Sequence, residues 1–237
     1  MILFFDKNIS ENSLNHELNY EQSHHLHNVL RKTRGFKLTL TDGNGLEWLG
    51  EIHSYKNKRI ELKKTSLKIH KKSKKKIHLV IAPAKNIKRM EWMLEKLTEI
   101  GISSITPILC DHSERKSLKT ERLIKIMISA LKQSKQFFLP KLYSMISFKN
   151  YIKKINKPFY IAHCMDENLK SLFEIDFENI ENTILIGPEG DFSEKEIKLS
   201  INSGGIPVSI GNNILRTETA GIIACNTILV KQQLKNI

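Results

Sequence analysis

The stretch from Asn182 to Ile197, NTILIGPEGDFSEKEI, limits what this chain can fold into more than any other. Ile184-Leu185-Ile186 is a short apolar run of the kind a buried strand uses, and Gly187-Pro188-Glu189-Gly190 must end it. Ser193 and Glu196 stand three apart as a capping box, each side chain able to reach the other residue's backbone N–H, so the spacing predicts a helix starting there. In an open α/β sheet, a strand–turn–helix unit puts ligands at the carboxyl end of the strand, and glycines let a ligand approach the backbone closely. The spacing matches neither G-x-x-x-x-G-K-[ST] nor G-x-G-x-x-G, and Glu189 and Asp191 would repel a phosphate that lacked a metal. A neutral or cationic ligand fits the turn better. A tight connection with no ligand is the other reading of an isolated G-x-x-G.

The unit recurs. VSIGNNILRTETAGIIACNTIL runs from a predicted strand, Pro207 to Ile210, through a Gly-Asn-Asn turn into a helix. Apolar strands IHLVIAPA, FYIAHC, TILIG and PVSIG alternate with helical stretches, which is the pattern of an α/β domain, here beginning near Ile77. Met90, Met93, Leu94, Leu97 and Ile100 share one face of a helix that stops at Gly101, and the stripe reads as core. A second helix is expected from Thr120, as its N-cap, through Leu123, Ile124, Met127, Ile128 and Leu131, ending before Pro140.

The first third of the chain is different. Phe36, Leu38 and Leu40 alternate, Asp42-Gly43-Asn44-Gly45 turns the chain, and Trp48 and Ile52 resume, which predicts a hairpin. Arg59-Ile60-Glu61-Leu62 alternates too, and Leu26, Val29 and Leu30 predict a short helix within Glu21 to Arg31. This is a small β-rich domain. It is also the basic end: residues 1 to 76 hold 16 Lys and Arg against 8 Asp and Glu, within a net charge of +13 for the chain. Such an excess suggests a polyanionic partner, although lysine-rich composition also arises without function. The run Lys68 to His78 reads as a solvated linker, with an edge strand or a phosphate-binding patch as alternatives.

Several classes recede. Cys110, Cys164 and Cys225 lack C-x-x-C spacing and are expected to be reduced, packed thiols. His24, His25 and His27 have no acidic or thiol partner at ligand spacing, so no metal is expected. Gly221 to Val230, broken by Asn226 and Thr227, is too short for a bilayer, and the start lacks a basic leader, so a cytoplasmic protein is expected.

Taken in order, HHLHNVLR, KRMEWMLEKLTEIG, SERKS from Ser113, ALKQS from Ala130 with Pro140 following, IGPEG and ILRTETA resemble the signatures of the bacterial ribosomal RNA (uracil-N3) methyltransferase family, in the SPOUT superfamily, over nearly the whole chain. The resemblance implies an α/β protein with a PUA-like β-barrel at residues 1–72 and a SPOUT domain with a deep trefoil knot at residues 73–237. It implies a homodimer with active sites formed across subunits. The implied cofactor is S-adenosylmethionine, a sulfonium cation that suits an acidic, glycine-rich turn. Its pocket would be lined by Gly187, Pro188, Glu189, Gly190, Ile210, Gly211, Ile214 and Leu215. The implied reaction is methylation of N3 of a uridine in 16S ribosomal RNA of the small subunit, near the decoding region. Arg216 is then the candidate for steadying negative charge on the uracil, and Glu218 acts as base or orients Arg216, unless the two form a structural ion pair. Arg31, Lys32, Arg34 and Arg115 are the candidate RNA contacts. Two departures from the family pattern stand out: Asp191, where a second glycine is more usual, and Gln136, where arginine is. A carboxylate at 191 would alter the turn or cap the following helix. The competing readings are a knotted methyltransferase for another ribosomal or transfer RNA position, a non-catalytic RNA-binding assembly factor, and a nucleotide enzyme, for which no P-loop lysine is present.

Overall fold

A computed structural model describes residues 2–166, 168–177 and 180–234. The chain divides into two compact units, Met1–Lys72 with Leu131–Leu139, and Ser73–Ala130 with Pro140–Ile237.

In the first unit, β1 (Leu3–Phe5), β2 (Asn15–Glu17), β3 (Lys37–Thr41), β4 (Leu46–Lys56) and β5 (Arg59–Ile69) form a five-stranded sheet in the order β1-β3-β4-β5-β2. The predicted hairpin is β3–β4. Asp42 Oδ1 accepts from the amides of Asn44 and Leu46, so the turn's donors are satisfied locally. Alternating residues bury Leu38, Leu40, Trp48, Ile52, Ile60 and Leu62 in one core. At the register shift between Leu49 and Gly50, a β-carbon at Gly50 would lie 2.2 Å from the Trp48 ring, so only glycine fits there. The predicted helix over 21–31 is a composite. α1 (Tyr20–His24), started by an Asn19–Gln22 capping box, passes into one π-helical turn, His25–Val29. His27 stacks on Tyr55 with centroids 4.1 Å apart. In the Leu131–Leu139 segment, Phe137 stacks on His70 at 4.3 Å and Phe138 pairs with Asn44.

The second unit is a parallel sheet. β6 (Lys76–Ile81), β7 (Ser104–Leu109), β8 (Lys141–Leu142), β10 (Phe159–Ala162), β11 (Glu181–Ile186) and β12 (Gly205–Val208) follow the order β12-β10-β11-β6-β7-β8, and β9 (Ile146–Ser147) pairs with β7. Leu79, Val80, Ile81, Ile105, Ile108, Ile161, Ile184 and Leu185 are all buried. Continuous apolar runs are what a parallel sheet covered on both faces requires. The helices are α2 (Ile87–Ile100), α3 (Thr120–Ser134), α4 (Phe148–Lys154), α5 (Glu194–Asn202) and α6 (Thr217–Leu234). α2 buries Met90, Met93, Leu94 and Leu97 and ends on Gly101 in the left-handed region, φ 85°, as its stripe and glycine predict, while Ile100 is only half-buried. α6 packs on α2, β6 and β11.

Some boundaries differ from the reading of the sequence. β12 lies two residues earlier than Pro207–Ile210, because its extent is set by pairing with Phe159–Ala162, a partner that local propensity does not see. Thr120 lies inside α3, and the carbonyl one residue earlier, on Lys119, accepts the first helical amides. The basic run Lys68–His78 is not all linker: β5 continues to Ile69 and β6 begins at Lys76, so both ends are sheet. No helix among the described residues is long and apolar enough to cross a membrane.

Candidate functional site

The carboxyl ends of β10, β11 and β12 open on one cavity of about 910 Å³. The two glycine turns singled out in the sequence form two of its walls. Gly187, Pro188 and Glu189 come from the turn after β11, and Ile210, Gly211, Ile214, Leu215 and Arg216 from the turn after β12. Gly190 is the one expected pocket residue outside the lining, and its carbonyl instead accepts from His112 Nδ1 at 2.9 Å.

The first wall is held from several directions. The Asp191 amide closes a turn on the Pro188 carbonyl at 3.0 Å. Asp191 itself takes φ 61°, the left-handed conformation that glycine adopts freely and aspartate tolerates. Its Oδ2 accepts from the Cys164 amide at 2.8 Å and its Oδ1 from the Phe192 amide at 2.7 Å. So this carboxylate ties β10's loop to β11's. The helix cap is Ser193, in the predicted capping box with Glu196. His112 Nδ1 donates to the Asp191 carbonyl as well as to Gly190, and these two bonds raise its pKa. Glu189 Oε1 accepts from the Lys85 amide at 2.9 Å, and Ser193 Oγ donates to Asp111 at 2.6 Å. Behind the turn Phe192 is fully buried against Phe148, ring centroids 5.5 Å apart.

The second wall is sparse. Ser209 Oγ pairs with the backbone of Gly211, but Gly211, Asn212 and Asn213 are exposed and Ile214 keeps 87% of its surface. A β-carbon at Gly211 would meet nothing within 4 Å. Arg216 is exposed on the cavity, and its side chain makes no hydrogen bond or ion pair among the described residues. Glu218 lies elsewhere. It is 6% exposed, its Oε1 stands 3.6 Å from Arg89 Nε on α2, and its Oε2 has no partner among the described residues. Positions two apart at a helix start point to different sides, so no Arg216–Glu218 pair forms and the cation beside Glu218 is Arg89.

The expected RNA contacts separate. Arg31, Lys32 and Arg34 belong to the first unit. Arg31 and Arg34 are exposed there, and Lys32 Nζ sits 4.8 Å over the Phe36 ring. Arg115 belongs to the second unit, where its Nε donates to the Ala84 carbonyl at 3.0 Å and its Nη2 to Lys85. It braces the segment whose Lys85 amide holds Glu189.

The sequence reading missed the third wall, the loop after β10, which contributes His163, Cys164 and Asp166 to the lining. The signal is in the sequence: FYIAHC reads as a strand of the same α/β domain, and the carboxyl end of a parallel strand opens beside those of its neighbours. Cys110 and Cys225 are buried as expected, but Cys164 is exposed on this loop and is not a packed thiol. No group of three or more metal-ligating side chains occurs among the described residues.

A family model described as an RNA methyltransferase domain matches residues 71–229, and one described as an RNA methyltransferase PUA domain matches residues 18–65. The "Ribosomal RNA small subunit methyltransferase E" of Rickettsia conorii is 30% identical over 94% of this chain and 92% of its own length. A solved structure described as a "probable rRNA-methyltransferase" from Porphyromonas gingivalis is 35% identical, with a TM-score of 0.91 over 99% of this chain and 100% of that one. The ribosomal RNA small subunit methyltransferase E of Neisseria gonorrhoeae, solved bound to S-adenosyl methionine, is 26% identical, with a TM-score of 0.86 over 99% of this chain and 98% of that one.

Proposed function

Because this chain belongs to the ribosomal RNA small subunit methyltransferase E family, we propose that it methylates N3 of a uridine in 16S ribosomal RNA, near the decoding region, using S-adenosylmethionine. The observation that carries the proposal is the cavity at the ends of β10, β11 and β12, with both glycine turns and Arg216 on its lining.

The residues fit this cofactor. The cavity falls in the size range of small-molecule sites. Its acidic lining, Asp166, Glu189 and Asp191, suits a ligand that carries a sulfonium and an ammonium. Its turns offer backbone groups to an adenine. Gly187, Pro188, Glu189, Ile210, Gly211, Ile214 and Leu215 would hold it, with Gly190 fixed behind them by His112. When bound, S-adenosylmethionine supplies an electrophilic methyl group on sulfur.

The rest of the chemistry falls to the protein. N3–H of uracil lies between two carbonyls, and losing its proton spreads negative charge over their oxygens. Arg216, permanently charged and with no internal partner among the described residues, is free to donate to such an oxygen or to a neighbouring phosphate. Glu218, held against Arg89 and off the cavity lining, serves in this reading to fix the start of α6 and thereby the position of Arg216. N3 is on the Watson–Crick edge, so the target base must be unpaired or flipped out, and the exposed Arg31 and Arg34 of the basic first unit are the proposed grip on the surrounding RNA. The reading includes the knotted topology and the homodimer expected from the sequence.

The test is to incubate the protein and S-adenosylmethionine with small ribosomal subunits from cells lacking this activity, then digest the RNA for mass spectrometry. One new N3-methyluridine is the expected result. A methylated base of another kind, or in another RNA, would move the chain to a different specificity, and S-adenosylmethionine binding without any product would contradict the proposal.

A further inference from the structure

Away from the cofactor cavity, a separate cavity of about 250 Å³ opens where β7 and β8 part. All of its lining belongs to the second unit. β8 pairs with β7 at Ser104 and Ile105, β9 resumes the pairing at Ile108 and Leu109, and between them Tyr143, Ser144 and Met145 leave the sheet. The β7 residue beside this gap is Pro107, which has no N–H to offer a neighbouring strand. Pro107, Leu118, Leu123 and Met145 give the cavity an apolar floor, and Lys116, Ser117, Tyr143 and Ser144 give it an exposed polar rim. None of the described residues that line it is acidic. The side chains of Lys116, Ser117 and Ser144 make no hydrogen bond or ion pair among the described residues. Tyr143 is held in place: its amide donates to the Ile105 carbonyl at 2.9 Å, the His78 ring packs against it edge-on with centroids 5.8 Å apart, and Lys141 Nζ lies 4.5 Å from its centroid. The residue is still 41% exposed. The loop between β7 and α3 joins this cavity to the first, because Asp111 and His112 hold the turn after β11 while Lys116, Ser117 and Leu118 line the second cavity. Three strand spacings of about 4.8 Å, from β11 through β6 and β7 to β8, put the two openings about 15 Å apart at the carboxyl ends of one parallel sheet.

We propose that this second cavity is a subsite for one unpaired nucleotide of the RNA, a near neighbour of the nucleotide that is methylated. The proposal rests on the reading of the chain as a ribosomal RNA methyltransferase. The cavity is smaller than the sites of cofactor-sized ligands, so it is too small for a second S-adenosylmethionine and suits a single base. A base has two apolar faces and a polar edge, and unpaired RNA bases are held by stacking on aromatic rings and by hydrogen bonds to those edges. Here Tyr143, Leu118 and Met145 take the faces, Ser117 and Ser144 the edge, and Lys116 the phosphate. A rim with a free lysine and no carboxylate among the described residues complements a polyanion. A separation of about 15 Å is within reach of one strand of a few nucleotides, so the same RNA occupies both cavities. Its grip on the second cavity keeps the strand in register while the target base, flipped out, enters the first.

The experiment measures kcat and KM for small ribosomal subunits at saturating S-adenosylmethionine, with cofactor affinity measured separately by calorimetry. The proteins are wild type, Tyr143→Ala, Tyr143→Phe, Lys116→Ala and Ser117→Trp. Tyr143→Ala is expected to raise KM for the subunits about tenfold, the worth of one stacked base, and Tyr143→Phe to keep most of the wild-type value. Ser117→Trp fills the cavity from its exposed rim without removing any packing, and it should raise KM likewise. It carries the test if Tyr143→Ala does not fold. Lys116→Ala should raise KM less and reduce its salt dependence by about one phosphate contact. In all four variants kcat and cofactor affinity should stay at wild type, because the lost contact is made equally before and during transfer. Unchanged KM in Ser117→Trp and Lys116→Ala, with an active wild type, overturns the inference alone. So does a fall in kcat and cofactor affinity with KM unmoved, the mark of a structural role. A wild type that methylates no small-subunit RNA overturns the reading on which the proposal rests.

Discussion

The two turns that line the cavity began as the same motif and are built in opposite ways. The turn after β11 is fastened at nearly every residue: Glu189 to Lys85, Gly190 to His112, and Asp191 to Cys164, Phe192 and His112. The turn after β12 has little beyond Ser209 bonded to Gly211, and it ends in an exposed Ile214 and an exposed Arg216. A wall with many hydrogen bonds is preorganised and can hold a ligand without first being ordered. A wall with few can adapt to a large substrate and present a side chain to it. The division suits a two-substrate reaction, with the small cofactor held between a fastened turn and an open one and Arg216 of the open wall left free for the RNA base.

Changes at the fastened wall should therefore cost stability and cofactor affinity, and loss of Arg216 from the open wall should cost turnover. The largest effect is expected at Phe192, fully buried behind the turn. Phe192→Ala should destabilise by about 4 kcal/mol in denaturant unfolding and weaken cofactor binding with it. A cost under about 1 kcal/mol would mean that the turn does not depend on its anchor.

Acid sharpens the comparison from outside the cavity, because it acts on the sheet beneath both walls. His78 on β6, bonded to Ser104 at 2.6 Å and Thr106 at 3.2 Å, is held by burial at a pKa of about 4 against an ordinary 6.5. Its folded pKa is depressed, so the unfolded chain takes the proton first. The contribution is whole above pH 6.5 and is lost as pH falls toward 4. Between those limits the wild type should lose about 3 kcal/mol more than His78→Gln, measured by urea unfolding at each pH. Parallel curves for the two proteins would remove His78 from the account.

Asp191 comes next. Asp191→Ala removes two acceptor contacts and leaves a β-carbon at φ 61°, for an expected cost of about 2 kcal/mol. Asp191→Gly keeps the conformation and should cost less. The smallest effect is expected across the cavity, where Ile214→Ala should change stability by no more than about 0.5 kcal/mol. A larger loss there would erase the contrast between the walls.

What could be read from the sequence was local. The β11–turn–α5 unit was legible because an apolar run, a glycine-proline break and a capping box all act within a few residues, as was α2, whose stripe and terminal Gly101 are consecutive. What the sequence hid was decided at a distance. The bounds of β12 come from β10, and the partner of Glu218 is Arg89, on another helix. Arg115 spends donors on carbonyls of Ala84 and Lys85, so a charge that reads as a free phosphate contact also braces the chain. Asp191 looked like a cap or a disturbance. Only the fold brings the Cys164 amide within its reach.

The most direct test of the division between the walls is Arg216→Ala, assayed for S-adenosylmethionine affinity by calorimetry and for methyl transfer to small ribosomal subunits. Arg216 is exposed and makes no internal side-chain bond among the described residues, so the fold and the fastened wall should be indifferent to its loss. The account predicts wild-type cofactor affinity with transfer slowed by about 100-fold, as when a charge-stabilising donor is removed. Wild-type transfer in the variant would contradict it.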